Sequence, residues 1–141
     1  MIALPASVLA AIRAQAEAAY PEECCGLLVG SVEANGRVAV VRHVPSPNLA
    51  EGDRRRSFEV SPQVRFDLMR SLRATGEALV GHYHSHPDGP AAPSAADRVM
   101  VWEPELVWLV VAVRDGKAGI PQAYRPDASE GFRRLELKTG I

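Results

Sequence analysis

This sequence has few of the features that mark secreted, membrane-spanning or nucleic-acid-binding proteins. Only two cysteines occur, and because Cys24 and Cys25 are adjacent they are not expected to bridge each other. The longest uninterrupted apolar run, residues 106–113, is eight residues long, which suits a buried strand and is too short to cross a bilayer. A net charge of -1 gives no electrostatic reason to expect a nucleic-acid partner. These absences predict a cytoplasmic chain with reduced thiols and with neither a membrane nor a nucleic acid as partner.

The amino-terminal segment also lacks the positively charged start of a signal peptide, and it soon meets Arg13 and Glu17. Pro5 near a first turn and apolar residues recurring on one side predict an amphipathic helix over residues 5–20. With 141 residues, of which 47% are hydrophobic, the chain is long enough to bury a core of its own. We therefore expect a single domain spanning residues 1–141.

The rest of the pattern predicts a sheet with two or three helices packed against it. One helix is expected from Ser61, an N-cap followed by a proline, to about residue 74, and a shorter one from Ser94 to about residue 102. Strands are expected at residues 24–31, 37–44, 78–86, 106–113, 120–125 and 132–138, with a polar loop at 45–57. Since hairpins and helical connections both occur, the predicted fold class is α/β (α+β), with a mixed, largely antiparallel sheet.

Histidines are few but concentrated in one place. Three of the four, His82, His84 and His86, occupy alternate positions near the end of one predicted strand. Alternate side chains on a strand share a face, with alpha carbons roughly 6.6–7 Å apart, so His84 and His86 can converge on one ion. Asp97 follows after a short loop and can supply a third ligand. Three protein ligands plus a water are typical of catalytic zinc, whereas structural zinc usually has four protein ligands.

Ser94 and Asp97 also have a simpler interpretation. A serine followed three residues later by an acidic residue fits a helix-capping pattern. The histidine strand nevertheless leads directly to this helix start, so Asp97 is expected close to the histidine face. A hydrolytic site also needs a base for its water, and the candidates are Glu22 and Glu23, which lie just before an apolar strand.

Together these residues resemble the signature of the JAMM (MPN-plus) metalloproteases. That signature is a glutamate, then H-x-H, seven residues, a serine, two residues and an aspartate, and this chain matches it without a gap. The order of helices and strands extends the resemblance over almost the whole chain, and it implies a JAB1/MPN-like layered fold related to that of cytidine deaminases. The matching residues are Glu23, Gly26, His84, His86, Ser94 and Asp97.

The resemblance implies a role for each of these residues. His84, His86 and Asp97 would bind one zinc ion per chain. Glu23 would be the general acid/base, because the family's glutamate lies three residues before the glycine matched by Gly26. Ser94 would donate a hydrogen bond to the tetrahedral oxyanion. We favour that role over helix capping, on the expectation that one hydroxyl does not serve both equally well.

The compact bacterial members of this family resemble peptidases of ubiquitin-like sulfur-carrier proteins. The resemblance therefore implies hydrolysis of the amide bond after a carrier's C-terminal Gly-Gly, with the carrier or its C-terminal peptide as partner. An exposed sheet edge leaves a homodimer possible. Two alternatives stay open. One is a catalytically silent protein-binding scaffold on the same fold. The other is zinc-dependent deamination, whose expected H-x-E and P-C-x-x-C pattern is missing.

Other polar residues receive structural interpretations. His82 is expected to pack beside the ligands, Ser85 to point to the opposite face of its strand, and the isolated His43 to be structural. Cys25 is interpreted as a small buried thiol rather than a nucleophile. Two features of the polar loop are left with roles to be decided. Asn48 is a candidate for ordering the loop near the cleft, and the arginines at 54–56 form either a solvated loop or a grip for an acidic partner surface.

Overall fold

The computed structural model describes residues 1–98, 101, 103–129 and 131–140 of the chain. Three helices and nine strands lie in this described part. The helices are α1 (Ala6–Ala19), α2 (Pro62–Leu72) and α3 (Ala95–Arg98). The strands are β1 (Ile2–Leu4), β2 (Cys25–Val32), β3 (Val38–Ser46), β4 (Ala78–Pro87), β5 (Val107–Arg114), β6 (Lys117–Ala118), β7 (Gln122–Asp127), β8 (Gly131–Leu135) and β9 (Leu137–Thr139).

Both long helices begin at a proline and bury one side. Pro5 precedes α1, and Pro62 is the first residue of α2. The Ser61 hydroxyl accepts a hydrogen bond from the Val64 amide at 3.3 Å, which satisfies one of the free donors at the start of α2. Apolar residues at helical spacing face the sheet in both helices, and the buried ones are Val8, Ile12, Ala16, Leu68 and Leu72.

The nine strands of the described residues form one sheet in the order β8-β7-β5-β4-β2-β3-β1-β9, with β6 paired to β5. The pairs β4–β5, β1–β3 and β1–β9 are parallel and the others are antiparallel. The predicted mixed, largely antiparallel sheet with accompanying helices is therefore confirmed. β8 and β9 stand at opposite ends of this order, yet only Glu136 separates them in the chain. The two ends of the sheet consequently meet, and the sheet curls back on itself.

The two faces of the sheet carry different apolar clusters. Leu28 and Tyr83 are buried against α1 on one face, whereas Leu27 is buried with α2 on the other. Gly26 lies where any Cβ would overlap the Tyr83 ring, which explains why a glycine follows the strand start. Because Tyr83 points toward α1, the alternation of β4 places the histidines, including His84, on the α2 side.

Near the two ends of the chain, the structure differs from the prediction. β1 was not predicted, because its three residues are held by pairing with the distant strands β3 and β9 rather than by any local pattern. The strand predicted at 132–138 is two strands broken at Glu136. The carbonyl of Glu136 accepts a hydrogen bond from the Ile2 amide at 2.9 Å, so the chain changes its partner strand there.

The helices end earlier than their patterns predict. α2 ends at Leu72 rather than at about residue 74. α3 covers the four residues Ala95–Arg98. Residue 101 is not helical, and residues 99, 100 and 102, over which the prediction also extended, lie outside those described. Within the described ranges, no helix combines the length and the apolar character that crossing a bilayer requires.

Candidate metal centre

Pairing between β2 and β4 brings Glu23 next to the histidines. The Cys24 amide donates to the Ser85 hydroxyl at 2.8 Å, and the Ser85 amide donates to the Cys24 carbonyl at 3.1 Å. Ser85 lies between His84 and His86 on the opposite face of β4, as its position in the alternation predicts. These two hydrogen bonds therefore fix the residue after Glu23 relative to both histidines.

Three side-chain atoms converge on the α2 side of the sheet. His84 Nε2 lies 3.0 Å from His86 Nε2 and 3.1 Å from Asp97 Oδ2, and His86 Nε2 lies 3.0 Å from the same Asp97 oxygen. All three side chains are buried, with Asp97 only 3% exposed. The structure thus brings together the three residues that the sequence proposes as ligands, two from the end of β4 and one from α3.

The two imidazole rings are oriented in different ways. His86 Nδ1 lies 2.9 Å from the Pro90 carbonyl, which only accepts hydrogen bonds. In the neutral ring Nδ1 therefore carries the proton, and the lone pair of Nε2 points into the cluster. His84 Nδ1 is buried with no hydrogen-bond partner among the described residues. The His84 ring is held instead by stacking on Phe58, with the centroids 4.2 Å apart and the planes 15° apart.

The Asp97 carboxylate is held in place by the start of α3. The Ser94 amide donates to Asp97 Oδ2 at 2.8 Å, so the same oxygen that meets the histidines is bound to the backbone. Burial disfavours the ionised carboxyl, but the hydrogen bonds with His84 and His86 outweigh it and hold the pKa of Asp97 well below its ordinary value. Burial lowers the pKa of His84, whereas for His86 the contacts with Asp97 and Pro90 outweigh burial and raise the pKa.

Glu23 places a second carboxyl beside this cluster. It is 4% exposed, and one of its oxygens lies within 4.8 Å of ring nitrogens of His84 and His86. Burial raises the pKa of Glu23 to about 8, against an opposing attraction from His86. Its Oε1 atom is buried without a hydrogen-bond partner among the described residues. A carboxyl in this position can take up and release a proton near neutral pH.

The donor set fits a zinc ion. Two imidazole nitrogens and one carboxylate oxygen are ligands that Zn²⁺ commonly takes. Ligand atoms about 2.0–2.1 Å from a tetrahedral ion lie roughly 3.3 Å from one another. The three atoms here, from His84, His86 and Asp97, are 3.0–3.1 Å apart. With the unpartnered Glu23 oxygen beside them, the residues suit an ion that has three protein ligands and one position open to water.

The contacts of Ser94 bear on the expectation that its hydroxyl does not serve capping and oxyanion binding equally well. Its Oγ accepts a hydrogen bond from the Asp97 amide at 3.0 Å, so the helix cap is present. A hydroxyl that accepts through a lone pair keeps its hydrogen for donation elsewhere. Capping α3 and donating to an oxyanion are therefore compatible roles for Ser94.

The remaining candidate residues lie where structural roles place them. His82 packs edge-on against Trp108 with the ring centroids 4.4 Å apart, and burial lowers the pKa of His82 to about 3, which keeps it neutral. Cys25 is fully buried, and burial raises its pKa to about 12, so it holds no thiolate at neutral pH. His43 is half-buried and lies 6.0 Å from the Tyr83 ring.

Two contributors to the centre were not singled out from the sequence. Phe58 covers His84, and the one signal for it was an aromatic residue at the end of an otherwise polar loop. Pro90 acts through its backbone carbonyl, which residue type does not encode. Both contacts depend on how loops fold over the histidine face, so no spacing rule identifies them.

A cleft opens over the centre, and Glu23 and His86 are among the residues that line it. Arg55 and Arg56 line it together with residues of the segment 87–96. Asp53 pairs with Arg55 at 3.2 Å and with Arg56 at 3.8 Å, and the two arginine side chains are 66% and 87% exposed. The arginine run thus lies at the edge of the candidate site and is also accessible from solvent.

Proteins similar to this chain include a desampylase and a peptidase. The desampylase of Haloferax volcanii is 34% identical over 104 residues, which are 74% of this chain and 72% of that protein. The CysO-cysteine peptidase of Mycobacterium tuberculosis is 27% identical over 125 residues, 89% of this chain and 82% of the relative.

Solved structures agree with the fold described above. A protein from Desulfitobacterium hafniense superposes with a TM-score of 0.84 at 28% identity, covering 99% of this chain and 92% of that one. A JAB1/MPN domain protein from Archaeoglobus fulgidus has the same fold, with a TM-score of 0.62 at 20% identity and complete coverage of both chains. The family model described as prokaryotic homologs of the JAB domain matches residues 5–127. The chain therefore belongs to the prokaryotic JAB-domain family, as the JAMM-type motif predicts.

Proposed function

We propose that this protein is a zinc-dependent metallopeptidase. Its substrate would be the amide bond after the C-terminal Gly-Gly of a ubiquitin-like sulfur-carrier protein. The observation that supports it most is the meeting of His84, His86 and Asp97 within 3.1 Å of one another, with the buried Glu23 alongside. The names of the relatives, a desampylase and a CysO-cysteine peptidase, support the substrate class.

His84, His86 and Asp97 would hold one zinc ion. When bound, zinc lowers the pKa of a coordinated water to about 7 and polarises a substrate carbonyl. The protein contributes the orientation of the three ligands, through Pro90, Phe58 and the backbone of Ser94.

Glu23 would carry the proton of the reaction. Its carboxylate accepts a proton from the attacking water as the oxygen of that water bonds to the carbonyl carbon. The same carboxyl then gives the proton to the amide nitrogen as the carbon–nitrogen bond breaks, so a carboxylic acid and an amine leave, and the acid ionises to a carboxylate at neutral pH. Burial raises the pKa of Glu23 toward neutral pH. A carboxyl with such a pKa suits both steps, because it can take up and release a proton with little cost in free energy.

Ser94 would stabilise the negative charge that develops on the carbonyl oxygen. Its hydroxyl hydrogen is free to donate while its oxygen caps α3. A donor fixed by a helix start costs little reorganisation during the reaction, which is the general advantage of an oxyanion site.

The carrier's tail would approach through the cleft that Arg55, Arg56 and residues of segment 87–96 line. Two glycines have no side chains and so fit an extended path past Glu23. We further propose a cytoplasmic location and a homodimer paired through an exposed sheet edge.

Replacement of Glu23 by glutamine tests the assignment. Glu23→Gln keeps the shape of the side chain but cannot accept the proton, so we expect about one zinc per chain and a loss of hydrolysis of roughly 10²–10⁴-fold. The measurement is mass spectrometry of a sulfur carrier with a C-terminal extension, together with metal analysis of the enzyme. Glu22→Gln, which changes the exposed neighbour, is the matched control and should cleave normally. Hydrolysis at the wild-type rate by Glu23→Gln would refute the role of Glu23.

The same assay distinguishes the scaffold alternative. A catalytically silent scaffold would bind the carrier equally well with and without a chelator and would yield no product ending in Gly-Gly. An enzyme of the proposed kind loses product formation on chelation and regains it when zinc is added.

A further inference from the structure

We propose that Asn48 is a positioning residue that holds the general base and the aromatic cover of the metal centre in one arrangement. This inference rests on the proposed function, since Glu23 is taken as the base. Asn48 lies in the loop between β3 and α2 and contacts none of the candidate ligands in the described residues; it acts through backbone groups of Glu23 and of the residues around Phe58.

The side-chain amide of Asn48 makes four hydrogen bonds. Its Nδ2 donates to the carbonyls of Glu23 at 3.1 Å and Ser57 at 3.0 Å. Its Oδ1 accepts from the amides of Ala50 at 3.0 Å and Glu59 at 3.1 Å. An amide has two donor hydrogens and two acceptor lone pairs, so its capacity is completely used. If the amide were flipped, its oxygen would face the two carbonyl oxygens and its NH2 group would face the two backbone N–H groups. This mismatch fixes the orientation of the side chain.

These partners connect two separate parts of the centre. Glu23 precedes β2, and its two backbone polar groups both bond to this loop. The carbonyl of Glu23 accepts from Asn48, and its amide donates to the Arg54 carbonyl at 2.8 Å. Ser57 and Glu59 flank Phe58, whose ring stacks on His84. Asn48 therefore ties the backbone of the base to Phe58, which stacks on the His84 ring, whose Nδ1 has no hydrogen-bond partner among the described residues.

Small errors in this arrangement affect the rate. A displacement of about 1 Å between a catalytic group and its substrate costs on the order of 10²-fold. Loss of the two donated bonds would leave Glu23 held by the Cys24–Ser85 contacts on one side and by Arg54 alone on the loop side. We therefore expect the turnover number to fall by about 10- to 100-fold, while zinc still binds at saturation because all three ligands remain.

Asn48→Asp separates the two halves of the amide. Aspartate still accepts from Ala50 and Glu59 but cannot donate to Glu23 and Ser57. Asn48→Ser serves as a second variant without added charge, because a serine hydroxyl can still accept the Ala50 amide in the local turn but is too short to bridge to Glu23. The matched control is Asn35→Asp, at the chain's other asparagine, which accepts the Arg37 amide at 3.0 Å in an exposed hairpin.

Two measurements test the proposal. The first is kcat for a carrier substrate per bound zinc at saturating zinc, at a temperature well below unfolding, with KM determined alongside. The second is amide hydrogen exchange in the metal-free protein. For both Asn48 variants we expect kcat per zinc to drop at least tenfold with KM changed less than about threefold. In Asn48→Asp the Glu23 amide should exchange faster while the Glu59 amide stays protected.

The outcomes separate positioning from stability. A role in stability alone would lower the unfolding temperature and leave kcat per zinc-loaded chain at the wild-type value, and that result would overturn the proposal. Wild-type exchange at Glu23 in both variants would overturn it as well. If the wild-type protein does not cleave any carrier, the proposed function fails, and the exchange measurement still decides whether Asn48 holds Glu23.

Discussion

Glu23 occupies a site in which the ionised form of its carboxyl is disfavoured. The side chain is buried beside a second carboxylate, and one of its oxygens has no protein partner in the described part of the chain. Burying an ionised carboxyl without a hydrogen-bond partner lowers the stability of the fold. Residues that transfer protons are often buried in this way, because burial shifts their pKa toward neutrality. The cost has a measurable dependence on pH because it applies only to the charged form.

The sign of that dependence follows from the raised pKa. The ordinary pKa is 4.5 and burial raises it to about 8 in the folded chain. The unfolded chain therefore loses the Glu23 proton at lower pH than the folded chain does, so the folded state becomes less stable as pH rises from about 4.5 to about 8. Below this window the neutral carboxyl is present in both states and the penalty is absent.

We predict that metal-free Glu23→Gln is more stable than metal-free wild type at pH 8, and that the difference disappears near pH 4.5. The expected gain at pH 8 is at least several degrees, since about 1 kcal/mol shifts the Tm of a domain of this size by roughly 2–4 °C. Thermal unfolding of both proteins across this pH range measures it, and groups common to both cancel in the difference. Glu22→Gln should show no such trend, and equal Tm values for Glu23→Gln and wild type at pH 8 would contradict the prediction.

At the scale of elements, the loop between β3 and α2 brings cationic groups to the cleft. Arg55 and Arg56 border the same opening as Glu23 and His86. Rim charges act mainly on encounter and on salt dependence rather than on chemistry. This placement favours the interpretation of the run as a grip for an acidic surface of the carrier.

We predict that Arg55→Gln combined with Arg56→Gln raises KM for a carrier substrate several-fold with kcat nearly unchanged. The substitutions should also flatten the dependence of kcat/KM on salt, because the screened attraction is removed. Arg133→Gln with Arg134→Gln on β8, a strand that does not line this cleft, is the matched control. If the KM of the double variant equals that of the wild type at low salt, the arginines do not bind the carrier and are part of a solvated loop.

The elements that local pattern specifies are the ones that the sequence predicts well. β4, β5, α1 and α2 have clear periodicity or clear starts, and the fold class follows from them. β1 and β9 are three residues each and exist through pairing with distant strands, so no window of sequence contains their cause. The strand break at Glu136 is likewise a change of pairing partner. No glycine or proline stands at this position to predict it from the sequence.

The candidate centre divides in the same way. His84, His86, Ser94 and Asp97 lie in one short segment, and alternation along a strand followed by a helix start is enough to bring them together. The choice of Glu23 over Glu22 came only from the family resemblance, since glutamates before a strand are usually solvated. Contacts made by loop backbone, such as the Pro90 carbonyl, depend on the whole fold and are invisible in residue type.

For the whole molecule, a bound ion would join parts that the sheet alone does not connect. β4 and α3 meet at the three candidate ligands, so an ion there binds the folded chain and stabilises it in proportion to its affinity. We predict that a chelator lowers the Tm by at least about 5 °C and that added zinc restores it. Magnesium should not restore it, because Mg²⁺ prefers oxygen ligands in octahedral geometry. A Tm indifferent to chelator in protein shown to contain zinc would contradict a ligand role for these residues.

The paired hydrogen bonds between Cys24 and Ser85 have a consequence for how such a protein can fail. They fix Glu23, the proposed proton carrier, relative to the histidine strand, so a shift of one strand by two positions would carry the carboxyl about 7 Å away while every residue of the motif stayed the same. A homologue could then display a perfect signature and be inert. Judging activity within this family therefore requires checking the register of the paired strands as well as the residue types of the motif.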